Sequence, residues 1–268
     1  MTGPQASAPE IRERARLLLC DYLGVAAAGA GAASSFAARR ANGLHAGRAL
    51  VEGLRGGRRL DGIDAAFLNA LSAHALELDD THEPASLHPG VVIWPVVLAL
   101  ADELGCSCDA ALDAAAVGYD VVCTLGEMLG GQTAYARGFH PTGVCGAFGA
   151  AAAASRLLEL DQHQVAAAFG IAGTSASGSL EYLSEGSWTK RLNPGLAAVN
   201  GIRAARLAAA GFTGPKAAIE GPNGFLRAYG DERSVSEPTC RWSRAAGCGA
   251  PASSFTPAAA ISTASSIC

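Results

Sequence analysis

The chain has 268 residues, half of them apolar, with a mean hydropathy of +0.22 and a formal net charge of −4. That is apolar material for one large domain or two small ones, and the charge supplies no field that would attract nucleic acid. Only 16% of the residues are charged, below the roughly 25% usual for soluble domains, so part of the surface is expected to be covered by a partner subunit.

Cysteines stand at 20, 106, 108, 123, 145, 240, 248 and 268 with no CxxC pair. They read as reduced thiols of a cytosolic protein. Near the N-terminus Arg12, Arg14 and Arg16 precede Leu17-Leu18-Leu19, the order of a secretory leader, but Glu10, Glu13 and Asp21 interrupt it. Ile11, Ala15, Leu18, Tyr22 and Val25 step by four and three, as an amphipathic helix does. No apolar run reaches the ~18 residues of a membrane span.

In chain order, residues 10–30 form a first helix and 33–46 a second, ending at Gly43 or Gly47. A Gly/Arg-rich turn follows, in which Arg55, Arg58 and Arg59 are solvated, and Asp61 is the N-cap of a helix over 62–79. The stretch His74 to Gly90 then carries His74, His82 and His88, four carboxylates and Thr81 between two apolar segments. On a continuing helix His74, Glu77 and Thr81 share one stripe, and Asp79 and Asp80 oppose the macrodipole at the helix's C-terminal end, a cost of a few tenths of a kcal/mol. His88-Pro89 opens the next helix, 89–104, with His88 at its N-cap. A further helix, 109–129, shows its period in Leu112, Ala115, Ala116, Tyr119 and Val122.

Residues 137–160 repeat the device: His140 precedes Pro141 at a helix start, and Gly143, Gly146 and Gly149 leave a smooth stripe for another helix. Asp161 caps a helix over 162–176, and Asn193-Pro194 starts one that runs to Gly211. Long alternation at period two is absent, so the fold class is all-α. Three helices thus open with X-Pro beside a polar residue at 88, 140 and 193. Helix N-termini attract anions, and their convergence would hold a polycarboxylate.

Other chemistries compete. His74, His82, His88 and two Asp are metal-ligand types, but His82-Glu83 is followed by His88, so the HExxH spacing is missing. Ser187-Trp-Thr-Lys190 spells S-x-x-K, with neither S-D-N nor K-T-G downstream. A non-catalytic helical scaffold is the third alternative.

Leu78-Asp79-Asp80-Thr81-His82 with His88-Pro89-Gly90, the block Gly138 to Ala150, and Gly186-Ser-Trp-Thr-Lys190 with Pro194-Gly195 and Gly211 to Pro215 resemble the MmgE/PrpD family over residues 10 to 230. Members of that family include 2-methylcitrate dehydratase, cis-aconitate decarboxylase and iminodisuccinate epimerase. The resemblance implies a large helical domain, an α+β lid domain later in the chain, a homodimer, and chemistry on small polycarboxylates with no metal and no cofactor. In the decarboxylase branch, functional positions match Glu77, Thr81, His88, His140 and Lys190. That branch has Asp where this chain has Glu77, and this chain has one more residue between Thr81 and His88. Dehydration of a 2-methylcitrate-like acid is therefore the expected reaction.

His140 or His88 is the expected acid or base, since imidazole titrates near neutrality and a helix N-terminus favours its neutral form. Lys190 would clamp a carboxylate and stabilise developing charge, with Asp79 or Asp80 orienting a His. Glu77, Thr81, His82 and Thr142 are expected to bind substrate. Residues 1–230 are read as the helical domain, with His88, His140 and Lys190 around one cleft. Ser234 to Cys268 has no helical period, so 231–268 is expected to be an irregular, frameshifted or disordered tail in which the lid is largely missing.

Overall fold

A computed structural model describes residues 7–43 and 61–231. Eleven α-helices and one 3-10 turn form among them, and no strand does, so the all-α reading holds. The Gly/Arg-rich turn and the segment after 231 lie outside the described residues.

Helix α1 (Pro9–Gly29) buries the stripe Ala15, Leu18, Tyr22 and Ala26, and α2 (Ala33–Ala41) follows. Next come α3 (Gly62–Ala73), a 3-10 turn at Glu83–Ala85, α4 (Gly90–Leu104), α5 (Cys108–Leu129) and α6 (Gly131–Ala136). The chain continues with α7 (Pro141–Leu157), α8 (Gln162–Ser175), α9 (Tyr182–Glu185), α10 (Thr189–Ala209) and α11 (Phe225–Tyr229). Asp61 caps α3 by accepting from the Ile63 N–H at 3.0 Å. Asp161 and Gln164 close a reciprocal capping box at α8.

Helix α7 is the centre, packed between α5 and α10. Its glycine stripe makes this possible. A Cβ at Gly149 would lie 2.7 Å from the Val122 Cβ of α5, and one at Gly146 would lie 3.1–3.2 Å from Val92 and Ala197. From the other side Gly201 of α10 brings its backbone onto α7, where a Cβ would meet the Ala150 Cβ at 2.2 Å.

Three helix boundaries differ from the sequence reading. Helix α3 stops at Ala73 rather than 79, with His74 as its C-cap. His74, Glu77 and Thr81 therefore share no stripe, and Glu77 sits at φ 55, in the left-handed region. Asp79 and Asp80 do not oppose a helix dipole; leaving the helix lets both carboxylates turn inward, while Leu76 and Leu78 end up exposed. Helix α4 begins one residue late, with Pro89 as N-cap, and Asp80 Oδ1 accepts from the otherwise unpaired Gly90 N–H at 2.9 Å. Asn193-Pro194 starts no helix. Helix α10 begins at Thr189 and contains Pro194, which removes one hydrogen bond, that to the Lys190 carbonyl.

No single described helix is long and apolar enough to cross a membrane. Cys20, Cys106, Cys108, Cys123 and Cys145 are free.

Candidate active site

The early end of α3 creates the site. The chain from His74 to Pro89 folds as a loop across the start of α7, where the His88 N–H donates to Thr142 Oγ1 at 3.0 Å. His74 and His140 are wholly buried, and Asp79 nearly so. Asp79 Oδ2 lies 2.9 Å from His74 Nδ1 and 3.1 Å from His88 Nδ1, so one carboxylate oxygen serves two imidazoles. The His74 ring centroid is 4.9 Å from that of His88 and 5.9 Å from that of His140, nearly parallel to the latter.

His140 is the N-cap of α7, as the sequence indicates. Its N–H donates to the Gly178 carbonyl at 2.9 Å, its Nδ1 meets Asn193 Nδ2 at 3.1 Å, and its ring packs edge-on to Tyr182 at 5.8 Å. Lys190, in the first turn of α10, holds Glu77 Oε2 at 2.7 Å. Its charge reaches all three rings of the cluster.

The structure thus brings together Glu77, Asp79, Thr81, His88, His140, Thr142 and Lys190, with Thr81 Oγ1 3.4 Å from His88 Nδ1. Two residues stand apart in role. The Asp80 side chain is bound by the Tyr119 hydroxyl at 2.8 Å and by the Gly90 N–H, so it builds the loop, and only its carbonyl approaches His88, at 3.1 Å. The His82 ring is buried against Glu127 of α5 at 2.9 Å, outside the imidazole cluster. Sequence reasoning assigns no role to Asn193 or Tyr182 at His140, and sees His74 only as a helix or metal-ligand position. Each depends on contacts between segments distant in sequence; only His74, five residues from Asp79 in an unusually acidic stretch, carried a local signal.

Burial opposes charge on every ring, and Asp79 decides the outcome. For Asp79 burial pushes the carboxyl upward, but hydrogen bonds from His74 and His88 outweigh it and hold the group well below the usual range. Burial lowers His74 more than Asp79 can restore. His88 is also penalised by burial, yet its bond to Asp79 and that charge raise it above the ordinary imidazole value. The expectation that a helix N-terminus leaves this imidazole neutral is therefore reversed. His140 has no carboxylate bond, and burial with the nearby positive groups lowers it to about 2. Lys190 holds Glu77 below the usual carboxylate range, against a smaller effect of burial.

His74, Asp79 and His88 are also the described group whose donor atoms, all within 4.8 Å of one another, could hold a metal ion. Zinc bonded at ~2.0–2.1 Å to each would need donors roughly 3.3 Å apart. The observed 2.9 and 3.1 Å to one shared oxygen are hydrogen-bond spacings. The S-x-x-K alternative finds no support either: the Ser187 hydroxyl pairs with Thr189 at 3.0 Å, and Lys190 with Glu77.

A sequence profile of the MmgE/PrpD N-terminal domain matches residues 3–238. The cis-aconitate decarboxylase of Homo sapiens is 36% identical over 175 residues, covering 64% of this chain and 36% of that protein. That of Aspergillus terreus is 32% identical over 233 residues, 82% of this chain and 46% of that protein. The cis-aconitate decarboxylase-like protein oryM of Aspergillus oryzae is 36% identical over 173 residues, 62% of this chain and 34% of that protein. The chain spans about a third to a half of the length of these relatives. With its profile match over 3–238, its helical fold and its His-Asp-His loop, the chain belongs to the MmgE/PrpD family.

Proposed function

We propose that the chain carries the proton-transfer centre of a lyase acting on a small polycarboxylate, and that the reaction is dehydration of a 2-methylcitrate-like hydroxy acid. The observation that carries this is Asp79 shared between two buried imidazoles beside Lys190. A substrate carboxylate displaces Glu77 from Lys190, whose ammonium then faces the charge that develops next to that carboxylate. His88 is the acid-base group: Asp79 holds its Nδ1, its side chain is the part-exposed one of the three at 18%, and the Asp79 carboxylate strengthens its hold on the proton it takes up. Neutral His88 removes the proton from the carbon beside the carboxylate, the adjacent C–O bond breaks, the departing hydroxide takes that proton back from His88 and leaves as water, and a C=C bond remains. His140, neutral across the working range, acts as a hydrogen-bond donor.

A second reading, decarboxylation of cis-aconitate, is favoured by the names of the relatives. There the bond to a carboxylate breaks, CO2 leaves, and His88 protonates the carbon. The longer Glu77 at the clamp and the additional loop residue favour dehydration. The test is calorimetry and proton NMR with 2-methylcitrate, citrate, cis-aconitate and iminodisuccinate. Alkene formation from 2-methylcitrate supports dehydration, and CO2 release from cis-aconitate supports the second reading. If none of the four binds, the polycarboxylate reading fails. A homodimer is part of the same proposal, and sedimentation of a monomer would remove it.

A further inference from the structure

His74 and His140 each bury a ring nitrogen, Nε2, that has no hydrogen-bond partner. Their other nitrogens determine what each orphan is. Asn193 Nδ2 lies 3.1 Å from His140 Nδ1, and an amide NH2 only donates, so Nδ1 accepts and the ring proton is on Nε2. Asp79 Oδ2 lies 2.9 Å from His74 Nδ1, and an ionised carboxylate only accepts, so that proton is on Nδ1 and Nε2 keeps its lone pair. The two rings are 5.9 Å apart and 21° from parallel, both wholly buried. Neighbouring rings thus hold one unmet donor and one unmet acceptor, an arrangement that is costly to leave empty.

We propose that His140 Nε2–H and His74 Nε2 form a hydroxyl-binding pair, the first donating to the oxygen of an O–H group and the second accepting its hydrogen. A hydroxyl meets both demands with one atom. A carboxylate has no hydrogen to give, and an ammonium has no lone pair. The O–H comes from an enclosed water or from a hydroxy acid. The second source rests on the lyase reading, in which the pair holds the hydroxyl that leaves, and it makes a hydroxylated polycarboxylate the preferred substrate class over its unsaturated or deoxy counterpart.

Long-range proton–nitrogen NMR of the intact chain should show His140 as the Nε2–H tautomer and His74 as the Nδ1–H tautomer; the same tautomer in both rings overturns the pair. Calorimetry then compares citrate with tricarballylate, which is citrate without its hydroxyl. Citrate binding about tenfold tighter, the scale of one net hydrogen bond, with the preference abolished in Asn193→Asp, makes the ligand the source. That substitution keeps the volume but offers His140 Nδ1 only an acceptor, which moves the proton off Nε2 without emptying the site. Equal affinities with an ordered water touching both Nε2 atoms in a crystal structure make water the source, and equal affinities without that water overturn the proposal. If neither acid binds, the lyase reading fails, while the tautomers and the water still decide the pair.

Discussion

Asp79 Oδ2 and His88 Nδ1 are 3.1 Å apart, and this contact makes His88 the one imidazole of the cluster that favours its charged form. Its raised value means that the stabilisation from protonated His88 is complete below about pH 6.5 and fades as pH rises through the folded value. Asp79, being depressed, contributes above about pH 3.9 and loses its contribution as pH falls through its folded value. Asp79→Asn should therefore lower the His88 pKa below 6.5 and destabilise the chain by about 3 kcal/mol near pH 6. NMR titration of His88 and urea unfolding check this. An unchanged His88 titration would remove Asp79 as its orienting partner.

Lys190 and Glu77 form the second lever. Glu77 is held at φ 55, a strained backbone for a residue with a side chain, and its carboxylate occupies the ammonium at 2.7 Å. Glu77→Gln should free Lys190 and tighten binding of a tricarboxylate several-fold. Lys190→Gln should weaken it by about 10- to 100-fold, as for a charged hydrogen bond of 1.5–3 kcal/mol. Calorimetry with both variants checks the order wild type between the two.

The local rules were sufficient where the answer was local. Asp61 and Asp161 cap the helices they precede, the α1 stripe is buried, and the glycines of α7 mark the central helix. They failed where a tertiary contact outweighed them. Helical periodicity extends past His74, but the helix ends there, where Asp79 accepts a buried bond from His74 and Asp80 accepts from the Tyr119 hydroxyl and the Gly90 N–H. Asn193-Pro194 has the form of a helix start, yet Asn193 turns to His140 from within α10. Tyr182 gives no sequence signal because its role exists only against a ring 42 positions earlier.

Packing around α7 separates two otherwise similar substitutions. A Cβ at Gly201 would meet the Ala150 carbonyl carbon and the Ala151 nitrogen at 2.6 Å, and backbone cannot give way as a side chain does. Gly201→Ala should cost about 2–3 kcal/mol despite alanine's better helix propensity. Gly24, on the exposed side of α1, has nothing within 4 Å of its added Cβ. Gly24→Ala should stabilise by roughly 0.5–1 kcal/mol. Urea unfolding of the two variants should move in opposite directions; stabilisation by Gly201→Ala would refute the close α7–α10 contact.

Asp120, on α5, is 1% exposed, and neither carboxylate oxygen has a partner. Burial, and next the charge of Glu127, raise it to about 7. A raised acid works against the fold: the folded state holds the proton that the unfolded state releases near pH 3.9, so stability falls as pH climbs from about 4 to 7 and then levels. At pH 8 the full penalty applies, roughly 2–4 kcal/mol. Asp120→Asn replaces the ion with a neutral side chain of similar shape. It should therefore leave the melting temperature little changed at pH 3.5 and raise it by several degrees at pH 8, at about 2–4 °C per kcal/mol for a chain of this size. A melting temperature raised equally at both pH values would show that Asp120 is not the titrating group.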